Sequence, residues 1–200
     1  MAKIEVFTGP MCSGKSAALL NKIKRYEIAG KEVLLIKPKR DTRDGNAVVS
    51  RDGGTYVSSE NTYQLESLDD IDEVYLEHNK KTHPKTIDLI AIDEFHFFEN
   101  CDEFIFMIMS FAVAGIDIAI SGLDLSHNGR PFEMMGRVMC VADKIHKFTA
   151  ICSVTKEDRA TITLMNISTN DDKVVGGDDI YQPVSREVWF KNYIKKIKGI

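Results

Sequence analysis

Gly9-Pro10-Met11-Cys12-Ser13-Gly14-Lys15-Ser16 is a complete GxxxxGK[ST] phosphate loop, and its flanks decide the fold. Before it, Ile4-Glu5-Val6-Phe7 is a short β-prone run, read as a first strand. After it, residues 15–29 read as a helix: Leu19, Ile23 and Tyr26 share one face and Gly30 is a natural stop. Strand, glycine-bearing loop and helix in direct succession are what triphosphate binding needs, because inward backbone N–H groups at the positive end of a helix hold concentrated negative charge. Gly9 and Gly14 permit the backbone angles, Lys15 can reach the β and γ oxygens, and the Ser16 hydroxyl can hold Mg²⁺. A chance match in a chain this long is on the order of 1 in 100.

Working outward, Val33-Leu34-Leu35-Ile36 is a second strand ended by Lys37-Pro38, and Ile87 to Ile92 is a nearly all-apolar strand. Residues 102–114 form a buried helix with Phe104, Ile108 and Phe111 on one stripe, and Ile116 to Ile120 is a strand ending at Ser121-Gly122. Phe132, Met135 and Met139 mark a short helix, and Lys144 to Cys152 is strand-like. This alternation predicts an α/β, P-loop NTPase-like fold, a mostly parallel sheet flanked by helices. Asp44-Gly45 and Asp52-Gly53-Gly54 predict a loop or hairpin over residues 40–62. Beyond residue 150 the chain turns polar, with turn formers at Asn170-Asp171-Asp172 and Gly176-Gly177. The expected division is a P-loop domain over residues 1–150 and, over residues 151–200, a small irregular or β subdomain carrying a lid loop. Ser185 caps its last helix, in which Trp189 and Tyr193 are four apart and Lys195, Lys196 and Lys198 lie near the C-terminal end.

Two hundred residues fit one domain, or one with a small appendage. Hydrophobic residues at 44% and charged residues at 28% describe a globular chain. A formal net charge of −4 argues against a protein that coats nucleic acid or an anionic membrane. No apolar run reaches the ~18 residues of a spanning helix, and the first residues lack the layout of a signal peptide. Cys12, Cys101, Cys140 and Cys152 form no CxxC; they read as reduced thiols of a cytoplasmic protein, with Cys101, Cys140 and Cys152 buried.

A phosphate loop works with a carboxylate at the end of a neighbouring strand. Asp93 ends the Ile87–Ile92 run and is placed to serve Mg²⁺, while Glu94, pointing elsewhere, can act as general base toward an attacking hydroxyl or water. No Asn-Lys-x-Asp guanine-reading motif follows a strand, and no arginine finger is evident. Three classes fit: a kinase, an ATPase that remodels a partner, and a nucleotide-binding protein without catalysis.

Later motifs are more specific. They are Lys37-Pro38 with Asp41-Thr42-Arg43, then Ser50-Arg51-Asp52-Gly53, then Asp93-Glu94-Phe95-His96-Phe97-Phe98. Gly122-Leu123-Asp124 with Gly129, Pro131 and Phe132 follows, and Gly176-Gly177 with Tyr181 and Arg186 comes last. In order and spacing the chain resembles the type II thymidine kinases over nearly its whole length. The resemblance implies transfer of the γ-phosphate of ATP to the 5′-hydroxyl of thymidine, and of deoxyuridine, with Glu94 as base and Ser16 and Asp93 serving Mg²⁺. It implies an ATP site made of Gly9, Pro10, Met11, Cys12, Ser13, Gly14, Lys15 and Ser16 with Arg43, Asp93, Glu94, Phe95 and His96. It implies an apolar nucleoside pocket from Met11, Phe97, Leu123, Phe132, Thr163 and Tyr181, with His127 at its edge. A loop over residues 165–180 would cover the base through the backbone of Val174, Val175 and Gly176, and the implied assembly is a homotetramer.

The chain departs from that family at its zinc site. Cys152 stands at the first of four cysteine positions, but Thr155, Ser185 and Val188 occupy the others, so no structural zinc is expected and packing by Val188 and Trp189 must replace it. His96 stands where the family has Gln and His127 where it has Phe. His78, His83 and His146 read as surface residues.

Overall fold

The computed structural model describes residues 2–43, 48–49, 55–56, 61–82, 86–166, 171–177 and 179–198. Ser50-Arg51-Asp52-Gly53, Asp44-Gly45, Gly54, His83 and Asn170 lie outside them. β1 (Ile4–Thr8) enters the phosphate loop and α1 (Lys15–Ile28) leaves it, with Leu19 and Ile23 buried as their spacing requires. β2 (Glu32–Pro38), β3 (Val48–Val49), β4 (Thr55–Tyr56), β5 (Thr62–Leu65), α2 (Ile71–Thr82) and β6 (Ile87–Ile92) follow. Then come α3 (Asp102–Val113), β7 (Asp117–Gly122), α4 (Glu133–Val141) and β8 (Lys144–Lys147). The chain ends in β9 (Ala150–Ile151), β10 (Asp158–Ala160), β11 (Ile162–Met165), β12 (Tyr181–Val184) and α5 (Arg186–Lys198).

Six strands form one sheet in the order β5-β2-β6-β7-β1-β8, and every pairing in it is parallel. Both faces are covered, which is why the strands read as apolar runs and not as alternating ones. Leu34, Ile36, Ile90, Ile92, Ile118 and Ile120 meet Val74 of α2, Phe104 and Ile108 of α3, and Met135 and Val138 of α4. Their neighbours Val33, Leu35, Leu89, Ala91 and Ala119 point the other way, onto Leu19, Leu20 and Ile23 of α1. β3 and β4 pair as an antiparallel hairpin. β9 pairs with β10 and β11 with β12, both antiparallel, around a small core of Ala150, Cys152, Ala160 and Val184 against which Val188 and Trp189 pack. No helix among the described residues is long and apolar enough to cross a membrane.

Four expectations need correction. Cys140 is exposed, because the buried stripe of α4 runs through Met134, Met135 and Val138 and leaves position 140 outside. His78 is 1% exposed: it continues the Ile71 and Val74 stripe of α2, and Nε2 lies 3.0 Å from Glu32 Oε1. His146 is half-buried, its ring stacked on Phe7 with centroids 4.7 Å apart. The Lys144–Cys152 run is also two strands, β8 and β9, joined through Phe148.

Candidate active site

The phosphate loop sits at the C-terminal edge of the parallel sheet, the end at which open α/β sheets bind ligands. Gly9 has φ +146, and a Cβ there would meet the Phe148 carbonyl oxygen at 2.6 Å, so a side chain is excluded. Cys12 and Gly14 are left-handed at φ 60 and 83, which wraps the loop ahead of α1. Lys15 is buried, its Nζ donating back to the Pro10 carbonyl at 3.3 Å, and the Ser13 hydroxyl is buried with no partner among the described residues. The Met11 N–H donates to Thr163 Oγ1 at 3.0 Å, tying the loop to β11.

Asp93 follows β6, and its N–H donates to the Ile36 carbonyl at 3.0 Å. Its Oδ1 stands 3.5 Å from the Ser16 hydroxyl. These are hard oxygen donors facing one spot, a set that suits Mg²⁺ together with phosphate oxygens. Burial, with the charge of Glu94 added, pushes the Asp93 carboxyl up to about 6.

Glu94 takes a left-handed backbone, φ 48 and ψ 38, uncommon for a residue with a Cβ, and turns the chain into a single 3₁₀ turn over Phe95–Phe97. Burial would raise its pKa, but Arg43 and Lys15 outweigh that and hold it at about 2. The Arg43 guanidinium donates to Glu94 Oε1 at 2.5 Å and to Asp41 Oδ1 at 2.6 Å, and Asp41 pairs in turn with buried Lys37 at 3.5 Å. A relay of alternating charges therefore fixes Arg43 in front of Glu94.

His96 is held neutral: burial, then the nearby cations, bring it down to about 3. Its Nδ1 accepts from the Leu123 N–H at 3.3 Å, and its ring lies against Phe97 and Phe132. A neutral acceptor is what a glutamine amide would supply at this place.

A narrow cleft opens between these groups. Met11, Arg43, Glu94 and His96 line it, with Phe97, Leu123, His127, Phe132, Thr163, Val174, Gly176 and Tyr181. Val175 does not, and the Phe95 ring lies in the hydrophobic core against Phe98 and Phe104. Ser126 and Asp172 also line the cavity. Neither stands out by residue type; only their places between Asp124 and Gly129 and beside Val174 could have pointed to them. The aromatic and aliphatic walls suit a small planar ligand.

A family profile described as thymidine kinase matches residues 2–189 of this chain. The chain belongs to the thymidine kinase family. It is 37% identical over 175 residues to the thymidine kinase of Mycoplasma genitalium, a match covering 87% of this chain and 76% of that protein. It is 35% identical over 196 residues to that of Mycoplasma mobile, covering 98% and 90%. With the thymidine kinase of Myxoma virus it shares 31% over 188 residues, covering 94% and 96%. Among solved structures, a genome packaging NTPase of Sulfolobus turreted icosahedral virus 2 is similar at a TM-score of 0.48 and 17% identity, covering 74% of this chain and 75% of that one.

The positions at which thymidine kinases of the resembled type carry cysteines converge in this chain without forming a metal centre. The Thr155 and Ser185 N–H groups donate to Cys152 Sγ at 3.5 and 3.4 Å, and Val188 packs against the same small core. Burial would raise the Cys152 thiol, but hydrogen bonds from the Thr155 side chain and from the main chain of Thr155, Ser185 and Val154 bring it down to about 6. One thiol, two hydroxyl residues and a valine do not fit tetrahedral zinc, and among the described residues no group of three or more His, Cys, Asp or Glu could hold a metal ion.

Proposed function

We propose that this thymidine kinase transfers the γ-phosphoryl group of ATP to the 5′-hydroxyl of thymidine, giving thymidine monophosphate and ADP, and that it accepts deoxyuridine as well. One observation carries the reading. Met11 of the phosphate loop, Arg43 and the carboxylate of Glu94 open onto the same apolar cavity, so a sugar hydroxyl docked there meets a base on one side and a phosphate cradle on the other.

In this reading the loop from Gly9 to Ser16 holds the phosphates through backbone N–H groups, and the Ser13 hydroxyl and Lys15 turn to phosphate oxygens. Ser16 and Asp93 would hold Mg²⁺, which when bound spreads the negative charge of the β and γ oxygens. Arg43 is close enough to the base to share its charge between Glu94 and the migrating phosphoryl group. Glu94 accepts the hydroxyl proton as the oxygen bonds to phosphorus. Phe97, Leu123, Phe132 and Tyr181 hold the base, with His127 at the pocket edge, and the main chain of Val174 and Gly176 covers it. This backbone lid keeps water from the γ-phosphate.

Residues 1–150 act as the ATP-binding domain and residues 151–200 as the nucleoside lid. The enzyme works in the cytoplasm, where ATP and reduced thiols are found. It works as a homotetramer: α3 exposes Phe106 and Val113 at 72% and 90%, an apolar face that a second copy would cover.

The test is transfer of label from γ-labelled ATP to a panel of nucleosides. Labelled thymidine monophosphate, with little turnover in the absence of nucleoside, is expected. ATP hydrolysis that ignores nucleosides would instead favour a remodelling ATPase.

A further inference from the structure

The bonds that hold the described part of the lid, residues 171–177, are unequal. Arg40 pairs with Asp171 at 2.8 Å, between side chains 43% and 49% exposed, and Asn128 donates to Asp172 Oδ1 at 2.7 Å. The Tyr181 hydroxyl donates to the Val174 carbonyl at 2.7 Å. Another anchor is different in kind. Lys173, only 18% exposed along its side chain, sends Nζ to the main chain of the segment that carries the base: to the Phe98 carbonyl at 2.6 Å and the Phe97 carbonyl at 3.4 Å. Its third partner, Glu99 at 3.0 Å, is 83% exposed.

We propose that Lys173 is a positioning residue that clamps the lid to the turn bearing Glu94, and so sets the height of the nucleoside pocket. The inference rests on the functional reading above. An ammonium group has three N–H donors and no acceptor, and here all three have a partner. The ion pair with an exposed carboxylate is worth little, whereas charged donation to main-chain carbonyls in a shielded place is not. Phe97 lines the cavity on one side, and Val174 and Gly176 line it on the other. Lys173 joins the two walls directly. None of its bonds involves the phosphate loop, so the clamp acts first on nucleoside binding.

Lys173→Met keeps the stem and removes the donors. Loss of one charge-assisted clamp is expected to raise KM for thymidine about tenfold, with kcat at saturating thymidine and KM for ATP within about twofold of the parent. Lys173→Arg, which restores donors, is expected to recover most of that affinity. Glu99→Gln, which removes only the exposed partner, is expected to leave all three constants unchanged. A thymidine KM within twofold of the parent in Lys173→Met overturns the assignment, as does a joint fall in kcat and ATP affinity, the mark of general damage. Amide exchange without nucleoside compares the parent with Lys173→Met: faster exchange over residues 171–177 in the variant is expected, and equal rates overturn the clamp. A parent enzyme that phosphorylates no nucleoside refutes the functional reading instead, and the exchange result still decides the clamp.

Discussion

Gly129→Ala tests what holds the C-terminal helix once the zinc ligands are gone. Gly129 has φ +74, and a Cβ there would come within 2.7 Å of two carbons of the Trp189 ring. The left-handed backbone alone costs an alanine about 1–2 kcal/mol. Forcing a methyl group into a filled contact adds about 1–3 kcal/mol. Against this, the first turn of α5 is held onto the rest of the chain by the Trp189 Nε1–H bond to the His127 carbonyl, at 2.8 Å, worth about 1 kcal/mol. Partial burial of the ring adds about 1–2 kcal/mol. The stack of Trp189 on Tyr193 lies within α5 and contributes nothing to docking. The perturbation thus matches or exceeds the anchor, and local release of Trp189 is cheaper than disturbing the six-stranded sheet. Trp189 is the only tryptophan in the chain, so its fluorescence reports this event without ambiguity. A red-shifted emission is expected, with a thermal midpoint lower by a few degrees at about 2–4 °C per kcal/mol for a chain of this size. KM for thymidine is expected to rise, because His127 and Ser126 line the cavity. Parent-like emission, midpoint and KM together would refute the reasoning.

Glu94→Gln should retain ATP binding and lower kcat by about 10²–10⁴-fold, and near-normal turnover would remove Glu94 from the role of base. Asp93, pushed up to about 6, has a raised folded-state value, so the stability it contributes is complete below its usual 3.8 and is lost as the pH rises through about 6. Because Mg²⁺ needs the ionised form, apparent Mg²⁺ affinity in the presence of ATP is expected to fall more steeply with falling pH below that value in the parent than in Asp93→Asn, which keeps only the slope of ATP itself. A titration showing equal slopes in the two proteins would sink this. Purified protein should carry no stoichiometric zinc by elemental analysis; one tightly held zinc per chain would contradict the reading of Thr155, Ser185 and Val188.

What was legible in the sequence follows from where the constraints are local. The phosphate loop is a backbone device written in contiguous residues, and its flanking strand and helix are set by short apolar patterns such as Leu19 and Ile23. The α/β class follows from strands buried on both faces. By contrast β5 and α2 were hidden. α2 buries only Ile71, Val74 and His78 and is otherwise charged, so its stripe is faint and His78 looks like a surface residue until Glu32 is found beside it. Of the proposed site, the residues inside quoted motifs could be named one by one. Asp172 and Ser126 could not, because lining a cavity is a property of distant segments brought together. The Lys173 clamp is of the same kind: its acceptors are main-chain carbonyls, and these leave no trace in residue identity.

In the proposed reaction, the two adjacent carboxylates bear on how Glu94 would serve as a base. Burial raises both, yet Asp93 ends high and Glu94 low, because the left-handed turn at Glu94 swings its side chain onto Arg43 while Asp93 stays at the apolar strand end. Neighbouring acids driven apart in this way divide the work between them. A carboxylate at about 2 is ionised at any working pH, but it is a weak base toward an intact alcohol. In a loose phosphoryl-transfer transition state that weakness matters little, since the alcohol becomes acidic only as its oxygen bonds to phosphorus. On the proposed reading Glu94 would then contribute chiefly by orienting the hydroxyl and accepting a proton late. An amide at position 94 would keep some of that orientation, and for this reason the loss in Glu94→Gln belongs toward the lower end of its range, about 10²-fold.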